Sequence, residues 1–451
     1  MTSDPGRVNR NLTATQDFLF SKTPAEDEND GAQEPMAAAL PSAAIDLLRQ
    51  HYPDLKFGHE YTDWAAAKAD GAAVFTALAL RIDTAACREE HDGRFDRLFL
   101  NVAEMMHQLC ASNEGWWGLM TADIFGCVFP GRDVASGLSI IKKFQERINT
   151  ALERTLTVGL AGFPCLTYSA GHTVDNARKA LEHAAFLGPG GRACFDAVSL
   201  NISGDRYYDS GKIDRAIEEF RNALRLDPKN VNVLNSLGVC FGVEQNYPKA
   251  LTAFQAALKV KAEETLALYN AGLVNLLMGE QDKALAYWLK AAPLGRDVFE
   301  LNYQTGKLLL EFSQPEKAQK LVLRAAELKP ESARVQRLLG DVYLAQRLLD
   351  AAVPPYKKAL RIQPNDAPAL SGLGRCYELK NENLDIALAF CQQSVEIMPE
   401  NGRFHMRLGR LLKKSGQYEK ALAAFKKAES LGENARDAIS AIEERNVDKA
   451  S

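Results

Sequence analysis

Residues 231–264 read VNVLNSLGVCFGVEQNYPKALTAFQAALKVKAEE, and the spacing of small and large residues in this stretch decides the fold of over half of the chain. Gly238 is followed by Ala250 and, four residues later, by Phe254. The glycine recurs every 34 residues at Gly204, Gly238, Gly272, Gly306, Gly340 and Gly374, and after 35 residues at Gly409. The alanines keep step at Ala216, Ala250, Ala284, Ala318, Ala352, Ala387 and Ala421. Seven units in register define an internal repeat.

This period is similar to that of the tetratricopeptide repeat (TPR), in which each unit is a helix–turn–helix. Small residues are needed where the two helices of a unit cross closely, because larger side chains would separate them. No unit can bury its apolar face alone, so stacked units share one core and form a superhelix. The sequence therefore predicts seven TPR units over residues 197–433 and a capping helix with a short tail over residues 434–451.

Composition restricts the classes of protein that remain. The chain has 451 residues, with 54 Lys+Arg against 58 Asp+Glu, a net charge of −4 that argues against a nucleic-acid binder. Its eight cysteines include no CxxC pair, so a disulfide scaffold or zinc ribbon is not expected. We find no signal-peptide pattern and no long apolar span, and we expect a cytoplasmic protein that does not insert into a membrane.

Residues 1–40 are predicted to be a disordered acidic tail. Within it, residues 21–34 contain five carboxylates, one lysine and no large apolar residue, too little to offset the entropy of ordering. The tail contains one apolar island, Phe18-Leu19-Phe20. Two interpretations remain open: a short motif that docks on a partner, or an incidental apolar cluster.

Residues 41–196 show mixed patterning. Apolar runs and helical spacings alternate in the order strand, helix, hairpin, helix, strand, helix. This order predicts an α+β domain in which helices pack on one sheet. The predicted fold class is therefore an α+β domain followed by an all-α TPR superhelix, an α-solenoid.

Part of this domain resembles the GGDEF domain of diguanylate cyclases over roughly residues 70–196. The resemblance rests on GLMTADIFGCVFPG, TLTVGLAGFP and ARKALEHAAFLGPGGRACFDA, with Asp96, Phe99 and Ala103 matching the start of a family helix. The family's Gly-Gly-Asp-Glu-Phe turn corresponds to Thr121, Ala122, Asp123, Ile124 and Phe125. Its metal-binding Asp-x-Asp corresponds to Arg81-Ile82-Asp83.

The departures from the family remove the residues that the cyclase chemistry needs. Thr121 and Ala122 place Cβ atoms where the family's backbone approaches phosphates, and Ile124 cannot ligate a hard cation. Arg81 places a positive charge where the metal should be. We therefore expect no enzyme activity, no metal and no cofactor. The resemblance implies that such a degenerate domain serves as a structural, dimerising or nucleotide-sensing module, and a homodimer through it is one option.

The first helices of the TPR units are expected to line a concave groove. In units two to four the groove positions carry amides, tyrosines and charged residues: Asn232, Asn235, Tyr269, Asn270, Glu300, Tyr303, Gln304 and Lys307. In units five to seven they carry Arg334, Arg337, Arg375, Arg403, Arg407 and Arg410. Amides and tyrosines suit an extended peptide backbone, and arginines suit carboxylates. The alternative is that the arginines are solvated or paired with Asp341, Glu378 and neighbouring acids.

These observations together predict a bacterial scaffold or adaptor that binds a partner protein or an acidic peptide in the TPR groove. A nucleotide sensor is the alternative, in which the degenerate domain binds GTP or cyclic di-GMP without turnover and regulates the groove.

Overall fold

A computed structural model describes residue 18 and residues 42–83 and 94–448. The described residues form two compact units, 18–262 and 263–448, and the boundary lies between two helices of the repeat array. In the predicted tail, Phe18 is described, whereas Leu19, Phe20 and the other residues of 1–40 lie outside the described residues.

The mixed region begins with two helices that the sequence did not predict, α1 (Ser42–His51) and α2 (Gly58–Ala69). The elements that follow are β1 (Phe75–Ile82), α3 (Arg94–Ser112), β2 (Trp116–Leu119), β3 (Ile124–Pro130), α4 (Val134–Leu152), β4 (Leu156–Phe163), α5 (Ala170–Ala185) and β5 (Arg192–Cys194). The predicted order of strand, helix, hairpin, helix, strand and helix is confirmed. From β1 to β4 it is the β-α-β-β-α-β succession of ferredoxin-like folds.

The five strands form one sheet in the order β2-β3-β1-β4-β5. The central strand β1 is antiparallel to both of its neighbours, with Leu78 opposite Cys127 on one side and Leu160 on the other. The short strand β5 runs parallel to β4. Every residue of β1 except Arg81 is buried, which explains why it is a continuous apolar run rather than an alternating one.

Helices cover both faces of the sheet, so the region has three layers. On one face, Leu78, Leu80 and Ile82 of β1 pack with the apolar sides of α1, α3 and α4. On the other face, Ala77 and Ala79 pack with α2 and α5. Small residues on this second face let the helices approach closely.

The repeat region consists of fourteen paired helices and a fifteenth that follows them. The pairs are α6 (Ala197–Asp209) and α7 (Ile213–Leu226), α8 (Val231–Val243) and α9 (Tyr247–Val260), α10 (Thr265–Leu277) and α11 (Gln281–Ala291), α12 (Phe299–Glu311) and α13 (Pro315–Leu328), α14 (Ala333–Ala345) and α15 (Leu349–Ile362), α16 (Ala367–Lys380) and α17 (Leu384–Ile397), and α18 (Gly402–Lys414) and α19 (Tyr418–Ser430). The last helix is α20 (Arg436–Asp448), whose Ile439 and Ile442 pack against the end of the array as the predicted cap.

The periodic glycines are required by close packing between the two helices of a unit, as the spacing predicts. A Cβ on Gly238 would lie 2.8 Å or less from ring atoms of Phe254 in the second helix of the same unit. Gly272 has the same relation to Trp288, and Gly204 has it to Phe220. Such distances are too short for non-bonded carbons, so the large residue requires the glycine that faces it.

Polar contacts join the mixed region to the first repeat. Asp196 caps α6 by accepting a hydrogen bond from the backbone N–H of Ser199 at 2.9 Å, and its carboxylate lies 3.3 Å from Nδ1 of His183. Lys179 on α5 donates to both carboxylate oxygens of Glu219 on α7, at 2.7 and 3.0 Å. Both side chains of this ion pair are nearly buried, with 8% and 12% of their surface exposed.

Candidate peptide-binding site

The predicted groove residues lie on the first helices of the repeat pairs, but they are divided between the two compact units. Asn235 is on α8 in residues 18–262, whereas Tyr269, Asn270 and the other predicted peptide-binding residues are in residues 263–448. Asn235, Tyr269 and Asn270 are all buried. The ring of Tyr269 stacks on Trp288 at 5.9 Å, and the Trp288 indole N–H donates to the Tyr269 carbonyl at 2.9 Å. Tyr269 is therefore a core residue here rather than an exposed contact for a ligand.

The part of the site in residues 263–448 contains an aromatic platform formed by Phe299 and Tyr303. Phe299 and Tyr303, one helical turn apart on α12, stack with their ring centroids 6.0 Å apart. The guanidinium of Arg334 lies over both rings, 5.3 and 4.8 Å from their centroids, and Nζ of Lys329 lies 4.3 Å from Phe299. Such stacking holds an arginine without using its N–H donors, which remain able to bind a carboxylate.

Arg337 lies on the next turn of α14 and is held by buried acceptors. Its Nη1 is 3.2 Å from Oδ1 of Asp366, a nearly buried carboxylate that also caps α16 by accepting from Ala369 N–H at 3.0 Å. Arg337 also lies near Tyr303. Burial raises the pKa of Tyr303, although the nearby Arg337 and Arg334 act in the opposite direction.

A partly buried carboxylate, Asp341, sits close to these arginines. It accepts a hydrogen bond of 2.6 Å from the Tyr356 hydroxyl. Burial raises the pKa of Asp341, and the Tyr356 hydrogen bond and the charges of Arg337 and Arg407 oppose that shift. The arginines thus offset the cost of an acid in the interior.

Two further arginines are tied to neighbouring side chains. Arg375 pairs with Glu378 at 2.6 Å, and Arg407 reaches back across one repeat to donate to Ser371 Oγ at 2.7 Å. Both are partly exposed. The pairing that the sequence left open as an alternative is therefore present at Arg337 and Arg375.

The remaining cations of the predicted site are exposed. Arg334 lies on the aromatic platform, and Arg410 is exposed on α18 without an ion pair among the described residues. Arg403 has 82% of its side chain exposed and lies 3.6 Å from Glu433, and Lys307, with 52% exposed, lies 4.0 Å from Glu311. Exposed pairs of this kind are weak, so these cations can exchange partners for a ligand.

Sequence reasoning missed Phe299, Lys329 and Asp366 as parts of the site. The groove frame considered only the second, fifth, sixth and ninth position of each unit, and Phe299, Lys329 and Asp366 fall outside those positions. Asp341 occupies a ninth position and was named as an acid that could pair with the arginines, but nothing in the sequence shows its hydrogen bond to Tyr356. The signals that the sequence offered were the aromatic residue at the start of the fourth repeat, Phe299, and the basic residue near its end, Lys329.

The predicted degenerate turn lies at the tip of the β2–β3 hairpin. Thr121 Oγ1 donates to Asp123 Oδ1 at 2.8 Å, and Ile124 is opposite Arg81 in the sheet register. Phe125 is buried against Phe99, with ring centroids 4.7 Å apart. The turn is thus stabilised by a hydrogen bond between its own side chains and by the packing of Phe125 in the core.

Asp83, which the resemblance matched to the family's metal-binding Asp-x-Asp, is engaged by protein donors. Its carboxylate accepts from Thr155 Oγ1 at 2.7 Å, from Thr157 Oγ1 at 2.5 Å and from the Gly190 N–H at 2.7 Å. These bonds tie the end of β1 to β4 and to the loop before β5. Within the described ranges, no three His, Cys, Asp or Glu side chains come together as a cation site.

A cleft of about 620 Å³ opens between the first turns of α2 and α5 beside Thr121. Its lining includes His59, Asp63, His172, Asp175 and Arg178. Arg178 pairs with Asp175 at 3.0 Å. The volume is within the range of small-molecule sites, and the lining carries both signs of charge.

Repeated helical pairs with a small–large packing pattern define a helical-repeat protein. Family models agree: a TPR repeat model matches residues 204–242, and tetratricopeptide repeat models match residues 243–297, 303–367 and 378–438. The photosystem I assembly protein Ycf3 of Acaryochloris marina is 30% identical over 132 residues, which are 29% of this chain and 68% of that protein. The chain belongs to the tetratricopeptide-repeat family.

Other relatives share less. The BBSome complex member BBS4 of Bos taurus is 24% identical over 246 residues, covering 53% of this chain and 46% of that protein. The chain thus spans about half the length of the first curated relatives that it matches. Among solved structures, YrrB, described as a TPR protein with an unusual peptide-binding site, is 22% identical with a TM-score of 0.39, over 41% of this chain and 94% of that one.

Across residues 42–83 and 94–448, none of the helices combines the length and the apolar character that crossing a bilayer requires.

Proposed function

We propose that this protein is a non-catalytic cytoplasmic scaffold or adaptor of bacterial type, and that its repeats bind an acidic peptide of a partner protein. Proteins with TPR repeats mediate protein and peptide binding, and membership of this family supports the proposed binding of a partner. The observation that favours an acidic ligand is Arg334, which is exposed and held over Phe299 and Tyr303 with its N–H donors available.

Arg403 and Arg410 add exposed positive charge on α18, the first helix of the seventh repeat. A carboxylate gains most from a guanidinium that is already oriented, because less side-chain entropy is lost on binding. Arg337 and Arg375 are held by acids of the protein, so in this proposal they orient the platform and shape the local field rather than contact the ligand.

A fluorescein-labelled oligoglutamate peptide with a free carboxyl terminus tests the proposal by fluorescence anisotropy. We expect the double variant Arg334→Glu/Arg410→Glu to bind at least about tenfold more weakly than the wild type. The matched control is Lys317→Glu/Lys320→Glu, which reverses two exposed charges on α13, the second helix of a unit. Equal weakening in both variants would mean that only net charge matters and would refute a site at Arg334.

For the mixed region, we propose a degenerate GGDEF-like domain in a structural role. The strand order and the hairpin at residues 116–130 support this assignment, and the three hydrogen bonds to Asp83 explain how such a domain holds together without a metal at that carboxylate. Incubation of the full chain with GTP and Mg²⁺ tests the absence of cyclase activity, because formation of cyclic di-GMP would contradict it.

The cleft beside Thr121 is the observation that favours nucleotide sensing as a second function. Calorimetric titration of the full chain with GTP or cyclic di-GMP separates the two proposals. Heat that disappears in Arg178→Ala would support a nucleotide site in the cleft, and no heat would leave the scaffold alone.

A further inference from the structure

Phe18 is seated on the repeat array although it comes from the N-terminal segment. Its residue surface is 8% exposed, and its ring stacks on that of Phe254 in α9, with centroids 6.4 Å apart and planes inclined by 23°. Its ring also lies against Gly242 near the end of α8. The contact joins residues more than 200 positions apart within the same compact unit.

Gly242 makes the space for this ring. The three nearest atoms to a Cβ placed on Gly242 all belong to the Phe18 ring, two of them 2.8 Å away. The backbone of Gly242 is helical and does not itself require glycine, since it is not among the glycines with positive φ. Among the described residues, the atoms nearest to the missing side chain are therefore those of the Phe18 ring.

The repeat pattern gives an independent reason to regard Gly242 as special. It lies four residues after the periodic glycine of its unit, a position that carries a side chain in each of the other six units: Tyr208, Leu276, Leu310, Leu344, Glu378 and Lys413. The glycine is therefore not part of the common repeat pattern. It opens a notch, formed by Gly242 and Phe254, at one place in the array.

We propose that this notch is a recognition site for a phenylalanine-anchored peptide, and that its ligand is the chain's own N-terminal segment, inserted through Phe18. The notch shares no residue with the predicted arginine-rich site of residues 299–410. Its ligand class is an aromatic anchor in an acidic context, because residues 21–34 carry five carboxylates and one lysine. Exposed Arg221 and Lys249 lie over the ring of Phe241, beside Gly242, and supply complementary charge.

An intramolecular ligand keeps such a site filled because the tether gives it a high effective concentration. The site should therefore be closed to added peptide in the wild type and open once Phe18 is removed. This behaviour distinguishes a binding site from an incidental contact of an apolar residue.

The experiment uses the full chain and a fluorescein-labelled peptide of residues 12–30, with anisotropy as the readout. We expect Phe18→Ala to bind the peptide at least about tenfold more tightly than the wild type does, and Phe18→Ala/Gly242→Ala to lose that gain. The same peptide with Phe18 replaced by alanine should not bind. The matched control is Phe18→Ala/Gly171→Ala, because a Cβ at Gly171 comes no closer than 3.3 Å to another side chain.

Equal binding to the wild type and Phe18→Ala, or no binding to Phe18→Ala up to about 1 mM peptide, would overturn the proposal, since a tethered ligand acts at roughly that concentration. Equal binding to Phe18→Ala with and without Gly242→Ala would also overturn it. A second measurement is the rate at which chymotrypsin cleaves after Phe18, identified by mass spectrometry. We expect Gly242→Ala alone to accelerate that cleavage about tenfold, and an unchanged rate would contradict the docked state.

Discussion

Replacing Lys179 by methionine should destabilise the joint between the mixed region and the first repeat. Methionine keeps the apolar stem of the lysine but removes the cation 2.7 Å from Glu219. Burial already raises the pKa of Glu219, and the charge and hydrogen bond of Lys179 restrain that rise. With both side chains almost inaccessible to water, loss of one partner of the pair should cost about 3–5 kcal/mol in the free energy of unfolding.

The same structure predicts how this cost depends on pH. Without Lys179 the folded-state pKa of Glu219 rises further, so the folded protein binds a proton more readily than the unfolded chain does. Stability is then lost as the pH rises through that raised pKa and is regained as the pH falls. We therefore expect the difference between Lys179→Met and the wild type to be largest near pH 8 and smaller near pH 5.

Urea unfolding followed by tryptophan fluorescence is a suitable assay, because three of the four tryptophans lie in the mixed region. The double variant Lys179→Met/Glu219→Met should recover most of the lost stability, since it leaves no buried charge. The matched control is Lys56→Met, whose partner Glu60 is 61% exposed, and it should leave the free energy of unfolding almost unchanged. A cost below about 1 kcal/mol for Lys179→Met at pH 8, or a double variant no better than the single one, would refute this reasoning.

Two other substitutions probe how the mixed region is held together. Gly159→Ala should destabilise the chain by about 3 kcal/mol or more, measured by urea unfolding, because a Cβ there would collide with the backbone of α5 at Leu181 and Ala177; a change below about 1 kcal/mol would contradict that packing. Asp196→Ala should cost about 1–2 kcal/mol through loss of the α6 cap. Burial alone would raise the pKa of Asp196, but His183 and the Ser199 bonds lower that pKa overall. The cost of Asp196→Ala should therefore shrink as the pH falls through the folded-state pKa of Asp196. A cost that grows in acid would argue against Asp196 as the α6 cap.

The repeat architecture was predictable because its determinant is local and repeated. The contact between Gly238 and Phe254 spans 16 residues, and the same spacing recurs in every other unit except the sixth, where Gly374 and Cys391 are 17 residues apart. The mixed region was predictable in order but not in layering. The sequence shows which runs are strands, whereas α2, which shares the second face with α5, has small and polar residues that give only a weak helical pattern.

The candidate site was predictable in composition but not in depth. The 34-residue frame correctly places Tyr269 on a first helix, yet the neighbouring Trp288 draws its ring into the core. The contact of Arg337 with Asp366 joins residues 29 positions apart in adjacent units, and no pattern within one unit shows it. For Phe18 the only signal was an apolar residue in an acidic segment and an unexplained glycine far along the chain.

The depth of each arginine determines what mutagenesis of the proposed acidic-peptide site can reveal. A charge reversal at Arg337 would place a second carboxylate beside Asp366, which is almost completely buried, and the resulting repulsion would act on the fold itself. Loss of ligand binding in such a variant would therefore say little about contact with the ligand. Arg334 and Arg410 are exposed, so reversing them changes the charge that a ligand meets while leaving the buried acids paired. The buried acids thus divide the arginines into those that stabilise the array and those that remain able to bind a carboxylate.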